Sequence, residues 1–331
     1  MLSEVISPHL AAGRNPALAG ARRFYAGVAA VTLGIFLAFH WVGSEYLWFS
    51  SYVVLQYVVL ATAWNILGGY AGYVNFGSAA FFAVGSYTTV LLYKLGIPSL
   101  PLMILAAGGV SGLLGLGMGY LTLRLRGAYF SIATLCLAVL LQTIITNWDF
   151  LGGSRGAYII RPDVSGFFAS YVEVLFAVIL GLAAGSVCLA RIIEKSKLGY
   201  GLAAIRDDEI AAEASGVPTL RLKLVATTVS GALMGMAGAP MPYYATFVEP
   251  ASAFGLSYAV NAMAMPLIGG LKTWLGPVIG ALILGSVQQV ATVTISSALN
   301  LLLVGLLLIA FLILAPQGIM GLLRRRGGRP S

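Results

Sequence analysis

The chain has 331 residues, of which 59% are hydrophobic and only 9% are charged, and its mean hydropathy is +0.93. Soluble domains carry about 25% charged residues, so this composition excludes an ordinary soluble protein and indicates an integral membrane protein. The net charge of +8 is explained by membrane topology, and we expect no nucleic-acid partner.

The apolar runs are about 20 residues long and do not alternate strongly, so they predict spanning helices rather than barrel strands. We predict an all-α, polytopic membrane protein of about ten transmembrane helices. A cytoplasmic N-terminal arm (1–23) precedes a transmembrane domain (24–320), and a basic cytoplasmic tail (321–331) follows it. The ten predicted segments are Phe24–Val42, Tyr52–Leu67, Phe76–Tyr93, Leu100–Leu121, Ala128–Asn147, Ser170–Ile193, Leu222–Pro240, Leu256–Gly270, Leu275–Val293 and Ala298–Leu314. The short third and eighth segments are either full spans or re-entrant.

The basic residues set the expected orientation. With a cytoplasmic N-terminus and ten alternating spans, all 19 basic residues except Lys94, Arg155 and Arg161 fall on the cytoplasmic side, as the positive-inside rule requires. Nine or eleven spans would misplace a basic cluster. Both termini are therefore expected in the cytoplasm.

The stretch Ala63–Tyr87 is unusually polar and rich in glycine. Its candidate pore or gate residues are Asn65, Gly68, Gly69, Asn75 and Ser78. Polar side chains within the bilayer must face protein or water, so one hypothesis is a glycine-broken helix that lines a substrate path. The alternative is a tight glycine turn at the cytoplasmic surface, with asparagine caps.

The longest predicted external loop, Asn147–Asp163, contains Gly153, Ser154 and Arg155. Glycine-rich backbone beside an arginine can bind an anion. The same loop can instead dock a soluble external partner, or it can be an ordinary connection.

Prolines bracket a double glycine in Met265–Gly280, which predicts a short hairpin of two helices. Gly269 and Gly270 join the pore or gate candidates. Lys272 is expected to extend to the cytoplasmic interface rather than to bind substrate.

The main polar interruption is Leu198–Lys223, in which four acids fall within seven positions. Apolar residues are interleaved with these acids, and Gly216 and Pro218 stop the helix. The pattern predicts one short amphipathic helix on the cytoplasmic face. Its apolar side would enter a groove on another protein, and its acids would meet basic residues at the rim. The alternative is a solvated connecting loop.

The residues GYGLAAIRDDEIAAEASGVPTLRLKL resemble the cytoplasmic coupling segment of the permeases of branched-chain amino acid ABC importers, of the LivM type. Three further stretches resemble the same family in the same order: NILGGYAGYVNFGSAAFFAVGSY, LRLRGAYFSIATL with NWDFLGGSRGAY, and IGGLKTWLGPVIGALIL. The resemblance covers about residues 50 to 320.

The resemblance implies a fold like that of type II importers, in the bacterial inner membrane, with a coupling segment at 194–222. The implied partners are a second related permease subunit, two cytoplasmic ATPase subunits that carry ATP and Mg, a periplasmic binding protein and membrane lipid. The implied ATPase-coupling residues are Arg206, Asp207, Asp208, Glu209, Glu213 and Gly216. The wider coupling pattern, Glu-Ala-Ala then three residues then Gly, lacks its leading Glu here, because Ile210 stands in its place.

The implied function is import of a branched-chain amino acid or of a similar small amino-acid-like or carboxylate solute. One alternative is a permease of the same family for urea, amides or aromatic acids. Another is a self-contained ion-coupled transporter, which would usually place an acid within a span, whereas Glu45, Glu173 and Glu249 lie near predicted ends. An intramembrane enzyme is disfavoured because His40 is the only histidine in a span. We expect no catalytic residue, metal or cofactor on this chain.

Overall fold

The computed structural model describes residues 16–163 and 168–294, together with positions 302, 305, 306, 309 and 318–321. Nearly all of the tenth predicted segment, Ala298–Leu314, lies outside the described residues, as do residues 1–15 and the tail after Gly321. Residues 16–23 of the predicted N-terminal arm are described, and they form the first turns of a helix.

The described residues are mostly helical. In chain order the helices are α1 (Pro16–Val42), α2 (Glu45–Ala71), α3 (Ser78–Lys94), α4 (Leu100–Thr122), α5 (Ala128–Thr146), α6 (Tyr171–Glu194), α7 (Lys197–Asp207), α8 (Glu209–Ala214), α9 (Thr219–Gly238), α10 (Met241–Ala245), α11 (Pro250–Ala253), α12 (Leu256–Gly269) and α13 (Leu275–Thr294). Two short strands, β1 (Ala157–Tyr158) and β2 (Phe247–Val248), pair antiparallel.

Each of the first nine predicted segments coincides with a helix. Within the described residues, eight helical stretches are long and apolar enough to cross a membrane. α3 adds a ninth, uninterrupted helix of 17 residues, about 25 Å long at 1.5 Å per residue. α12 is shorter still, but α11 continues it into a stretch, Pro250–Gly269, that reaches spanning length.

The helices pack around α2, which contacts α6, α9, α12 and α13. Its second half is buried without a break from Val58 to Ala71. α4 and α9 approach closely because α4 carries glycines at the contact. A Cβ at Gly115, for example, would lie 2.8 Å from the carbonyl oxygen of Thr227. Small residues at helix contacts are the usual means of close packing in membrane proteins.

The helix ends and their links gather at two opposite faces. The basic face contains the links 72–77, 123–127, 195–218 and 270–274. Links meet there, as where Arg126 Nε lies 3.9 Å from Glu209 Oε2, and the Trp274 amide donates to Oε2 of Glu194, the last residue of α6, at 2.9 Å. The opposite face contains the links 43–44, 95–99, 147–163 and 246–255, where Lys94 Nζ donates to the Phe150 carbonyl at 2.8 Å. Successive spans therefore run in alternating directions, as predicted.

Candidate coupling site

The polar segment on the basic face forms two helices, so the prediction of one amphipathic helix is wrong. α7 ends at Asp207 and α8 begins at Glu209. Asp208 separates them in an extended conformation, and its Oδ1 accepts hydrogen bonds from the amides of Ile210 at 2.9 Å and Ala211 at 3.0 Å. These are the contacts of an N-cap. Asp208 thus starts α8 and is not free to contact a partner through this oxygen.

Glu209 turns inward and joins a buried charged cluster. Lys223 Nζ, at the start of α9, donates to Glu209 Oε1 at 2.7 Å, to the Tyr73 hydroxyl at 3.1 Å and to the Leu123 carbonyl at 3.1 Å. The Tyr73 hydroxyl donates to the other oxygen, Glu209 Oε2. Lys223 is 2% exposed, and all three of its ammonium donors are satisfied. The cluster therefore ties α8 to α9 and to the links before α3 and after α4.

The cluster is held with Glu209 ionised. Burial by itself raises the pKa of the Glu209 carboxyl, but the hydrogen bonds from Lys223 and Tyr73 and the charges of Lys223 and Arg126 outweigh it and lower the pKa. Burial, together with the Glu209 carboxylate, raises the pKa of the Tyr73 phenol, so the phenol stays protonated and donates. A buried ammonium must have such an anionic partner.

Two arginines connect this segment to its surroundings. Arg126, in the link after α4, lies 3.9 Å from Glu209 Oε2 and 3.8 Å from Glu213 Oε2; exposed pairs of this kind contribute little individually. Arg206 Nη2 lies 3.2 Å from Asp207 Oδ1, and its Nη1 donates to the Gly69 carbonyl at 3.5 Å. Arg206 thereby fastens the end of α7 to the end of α2.

One side of α8 remains exposed. We call the exposed residues Ile210, Ala211, Glu213, Ala214 and Gly216 the α8 surface. The Ile210 side chain is 66% exposed, and the Glu213 side chain is 63% exposed. Gly216 ends the segment with a φ of +84°, a conformation that favours glycine. The predicted apolar face is therefore divided, because Leu202 and Ile205 pack inward and only Ile210 and Ala214 are presented outward.

Of the glycines in the stretch Ala63–Tyr87, Gly68 and Gly69 do not break the helix. α2 continues through both glycines to Ala71, and Gly72 caps it with a φ of +78°. A Cβ at Gly69 would lie 2.4 Å from the Leu271 carbonyl oxygen, so this glycine allows the link 270–274 to approach α2. Asn65 is 1% exposed and its Nδ2 donates to the Thr273 carbonyl at 3.3 Å. Gly69 and Asn65 therefore pack α2 against that link, whereas a Cβ at Gly68 would meet the Trp64 ring at 2.4 Å.

The break lies instead at Gly72–Gly77, where the chain turns on the basic face. Asn75 Oδ1 accepts from the Gly77 amide at 2.7 Å and so closes a turn in this link, while α3 itself begins after Gly77 without a side-chain cap. The Ser78 hydroxyl is buried and has no hydrogen-bond partner among the described residues. Neither Asn75 nor Ser78, at 3% and 1% exposure, faces an open passage in this conformation.

The predicted hairpin is present as α12 and α13. α12 ends at Gly269, and Gly270 follows with a φ of +125°. A Cβ at Gly269 would lie 1.7 Å from the Gly276 carbonyl oxygen, so no other residue fits there without moving the backbone. Lys272 is exposed in the link on the basic face.

The loop on the opposite face is ordered rather than extended. Gly153 lies in a short 3₁₀ turn with a φ of +54°, while Ser154 and Arg155 are exposed. Beyond β1, Arg161 Nε donates to the Tyr243 carbonyl at 2.7 Å and Nη2 donates to the Tyr244 carbonyl at 2.5 Å. The loop therefore presents Ser154 and Arg155 from a base that is tied to α10.

Sequence reasoning missed the cluster of Tyr73, Lys223 and Glu209. A usable signal was present, because a lysine at the start of a predicted apolar span needs an anionic partner if it is buried. Asp208 also carried a signal, since an aspartate is a common helix start.

These features define the class of the protein: a polytopic helical membrane protein whose basic face carries a short, rigidly attached helix with an exposed apolar side chain. Comparison with known proteins then shows that the chain belongs to the branched-chain amino acid transport system permease component family, whose family model matches residues 46–312. It is thus a permease component of an ABC transport system.

The chain is similar to the high-affinity branched-chain amino acid transport system permease protein LivM of Salmonella typhimurium. The two are 29% identical over 301 residues, which cover 82% of this chain and 69% of that protein. LivM of Escherichia coli is 28% identical, with the same coverage. A probable branched-chain amino acid transport permease protein LivH of Methanocaldococcus jannaschii is 29% identical over 75% of this chain and 82% of its own length. No solved structure matches the chain significantly.

Proposed function

We propose that this chain is a pore-forming subunit of an ATP-driven importer and that its α8 surface docks a cytoplasmic ATPase subunit. The observation that carries the proposal is the attachment of α8. An exposed isoleucine at its tip is backed by a buried ion pair that reaches three other elements. An ordinary solvated connection has no need of such an anchor.

The attachment provides a route for force. A displacement of α8 would move Glu209, and Lys223 and Tyr73 would transmit that movement to the start of α9 and to the link between α2 and α3. The Leu123 carbonyl and Arg126 extend the connection to the link between α4 and α5. An ATPase that binds the two pore conformations with different affinity would thereby bias their equilibrium.

We propose a branched-chain amino acid, or a similar small amino-acid-like or carboxylate solute, as the substrate. Support comes from the relatives, whose names specify branched-chain amino acid transport. The alternative is that this permease, within the same family, transports urea, amides or aromatic acids. Similarity to both LivM and LivH proteins supports a second related permease as the partner across the pore.

The remaining roles follow from this assignment. The basic face is cytoplasmic and the protein resides in the inner membrane, in accord with the positive-inside rule. A periplasmic binding protein contacts the exposed Ser154 and Arg155. Ser78 is our preferred gate candidate, because its buried hydroxyl has no hydrogen-bond partner among the described residues and would be stabilised by gaining one when the helices rearrange.

Co-purification tests the docking proposal. The chain is expressed with its partner permease and ATPases, and ATPase recovery and solute uptake are compared for Ile210→Asp and Leu125→Asp. Both residues are exposed aliphatic side chains on the basic face, at 66% and 41%, but only Ile210 belongs to the α8 surface. We expect Ile210→Asp to lose ATPase recovery and uptake, and Leu125→Asp to retain both.

Equal recovery in the two variants would refute docking at α8. Ion-driven uptake by the chain in vesicles without ATPase subunits would instead establish the self-contained transporter.

A further inference from the structure

A groove between α1 and α6 has no part in the proposed coupling. It has a volume of about 490 Å³ and lies on the outer surface of the bundle. Its walls include Tyr25, Ala29 and Phe36 on α1 and Gly181, Gly185 and Cys188 on α6. Both helices are candidate membrane spans, so we expect the groove to face the lipid bilayer.

The groove wall is small and apolar. No atom lies within 4 Å of a Cβ placed at Gly181 or Gly185, so the space above these glycines is open. The hydroxyl of Thr32 is already bonded to the Val28 carbonyl at 2.8 Å. The groove therefore offers van der Waals contact to an apolar occupant along most of its length.

Two arginines, Arg22 and Arg191, stand one helical turn beyond the lining residues Tyr25 and Cys188 at one end of the groove. The guanidinium of Arg191 lies 5.4 Å from the ring centre of Phe24, which places the end of α6 beside the start of α1. Arg22 stands one turn before Tyr25, on the same face of α1. Among the described residues no carboxylate lies within ion-pair distance of Arg22, whereas Arg191 lies 3.8 Å from Glu194.

The dimensions match one leaflet of a bilayer. Tyr25 to Phe36 spans about 16 Å at 1.5 Å per residue, roughly half of the ~30 Å hydrocarbon core. A cationic end followed by an apolar channel of one leaflet's depth is complementary to a single anionic lipid. Basic pockets between helices at the cytoplasmic side are known to bind such headgroups.

We propose that this groove binds an anionic phospholipid, with its phosphate beside Arg22 and Arg191 and one acyl chain between α1 and α6. The lipid completes the packing of α1, which contacts the bundle mainly through α6. A phosphate ion alone would not use the apolar wall, and a neutral lipid would leave Arg22 without a counter-charge.

Native mass spectrometry of the assembly tests this site. The complex is released from nanodiscs of phosphatidylethanolamine and phosphatidylglycerol, and retained lipids are counted. We expect the parent protein to retain phosphatidylglycerol preferentially. Gly181→Leu with Gly185→Leu fills the groove and should abolish retention, and Arg22→Gln should weaken it roughly fivefold. The matched controls are Gly109→Leu with Gly117→Leu, on open positions of α4, and Arg124→Gln on the basic face; both should retain the lipid.

Three results would overturn the proposal. One is equal lipid retention by the groove-filled variant and its control. Another is retention of phosphatidylethanolamine as strong as that of phosphatidylglycerol, which would show that the basic end is not used. The third is loss of the second permease subunit when the groove is filled, which would assign the groove to a protein partner.

Discussion

Replacing Lys223 by methionine tests the buried cluster at the base of α8. Methionine preserves most of the side-chain volume but removes the ammonium that binds Glu209 at 2.7 Å. The Glu209 side chain is only 14% exposed. In the variant its charge would still be stabilised by the hydrogen bond from Tyr73 and by Arg126, but less strongly than by Lys223. Breaking one partner of a buried pair costs about 3–5 kcal/mol. Because Glu209 is not fully buried, we expect a loss of about 3 kcal/mol, which lowers the melting temperature by roughly 4 °C in a chain of this size.

The measurement is thermal unfolding of the purified assembly, followed in parallel with ATPase recovery. Arg221→Met is the matched control, because Arg221 is exposed two residues earlier on the same helix and should change stability by less than about 0.5 kcal/mol. The double variant Lys223→Met, Glu209→Leu should recover part of the loss, since a buried pair can often be replaced by apolar residues. Additive losses in the double variant, or no loss in the single one, would refute the reasoning.

Three further predictions concern the same face. Folding lowers the pKa of Glu209. Its stabilising contribution is therefore present above the usual glutamate pKa of about 4.3 and is lost as the pH falls through the lower pKa of the folded state. The plot of melting temperature against pH should flatten in Glu209→Gln, and an unchanged slope would contradict the assignment. Asp208→Ala removes the N-cap of α8, so it should lower the free energy of unfolding by about 1 kcal/mol and weaken ATPase recovery. The control is Asp207→Ala, because the Asp207 side chain is 72% exposed, and it should leave the melting temperature unchanged. Gly269→Ala forces α12 and α13 apart and should lower the free energy of unfolding by more than about 3 kcal/mol. Gly109→Ala should have no effect, because the space around Gly109 is open. If the two variants express and melt alike, α12 and α13 are not closely packed at Gly269.

Much of the architecture was predictable because it depends on local composition. Nine apolar runs became nine helices, since a bilayer-spanning backbone must satisfy its own hydrogen bonds. The hairpin of α12 and α13 followed from its prolines and double glycine. The membrane class, the alternation of the spans and the position of the charged segment were all determined by hydrophobic length and by the spacing of basic residues.

Tertiary structure decided what the polar residues do. Glu209 and Lys223 lie 14 positions apart, and Tyr73 lies 150 positions before Lys223, so no local pattern could bring them together. Gly68 and Gly69 are weak helix formers by sequence, yet α2 continues through both, and the missing side chain of Gly69 allows the link 270–274 to approach.

The charged segment shows the division most clearly. Its sequence determined that a polar, partly amphipathic element stands on the basic face. Only the fold decided that Asp208 splits it into two helices, that Glu209 faces inward and that Ile210 faces outward. The physical reason is that the attraction between the Glu209 carboxylate and the Lys223 ammonium is stronger in a poorly solvated cluster than in water, and this pairing fixes which side of α8 stays exposed.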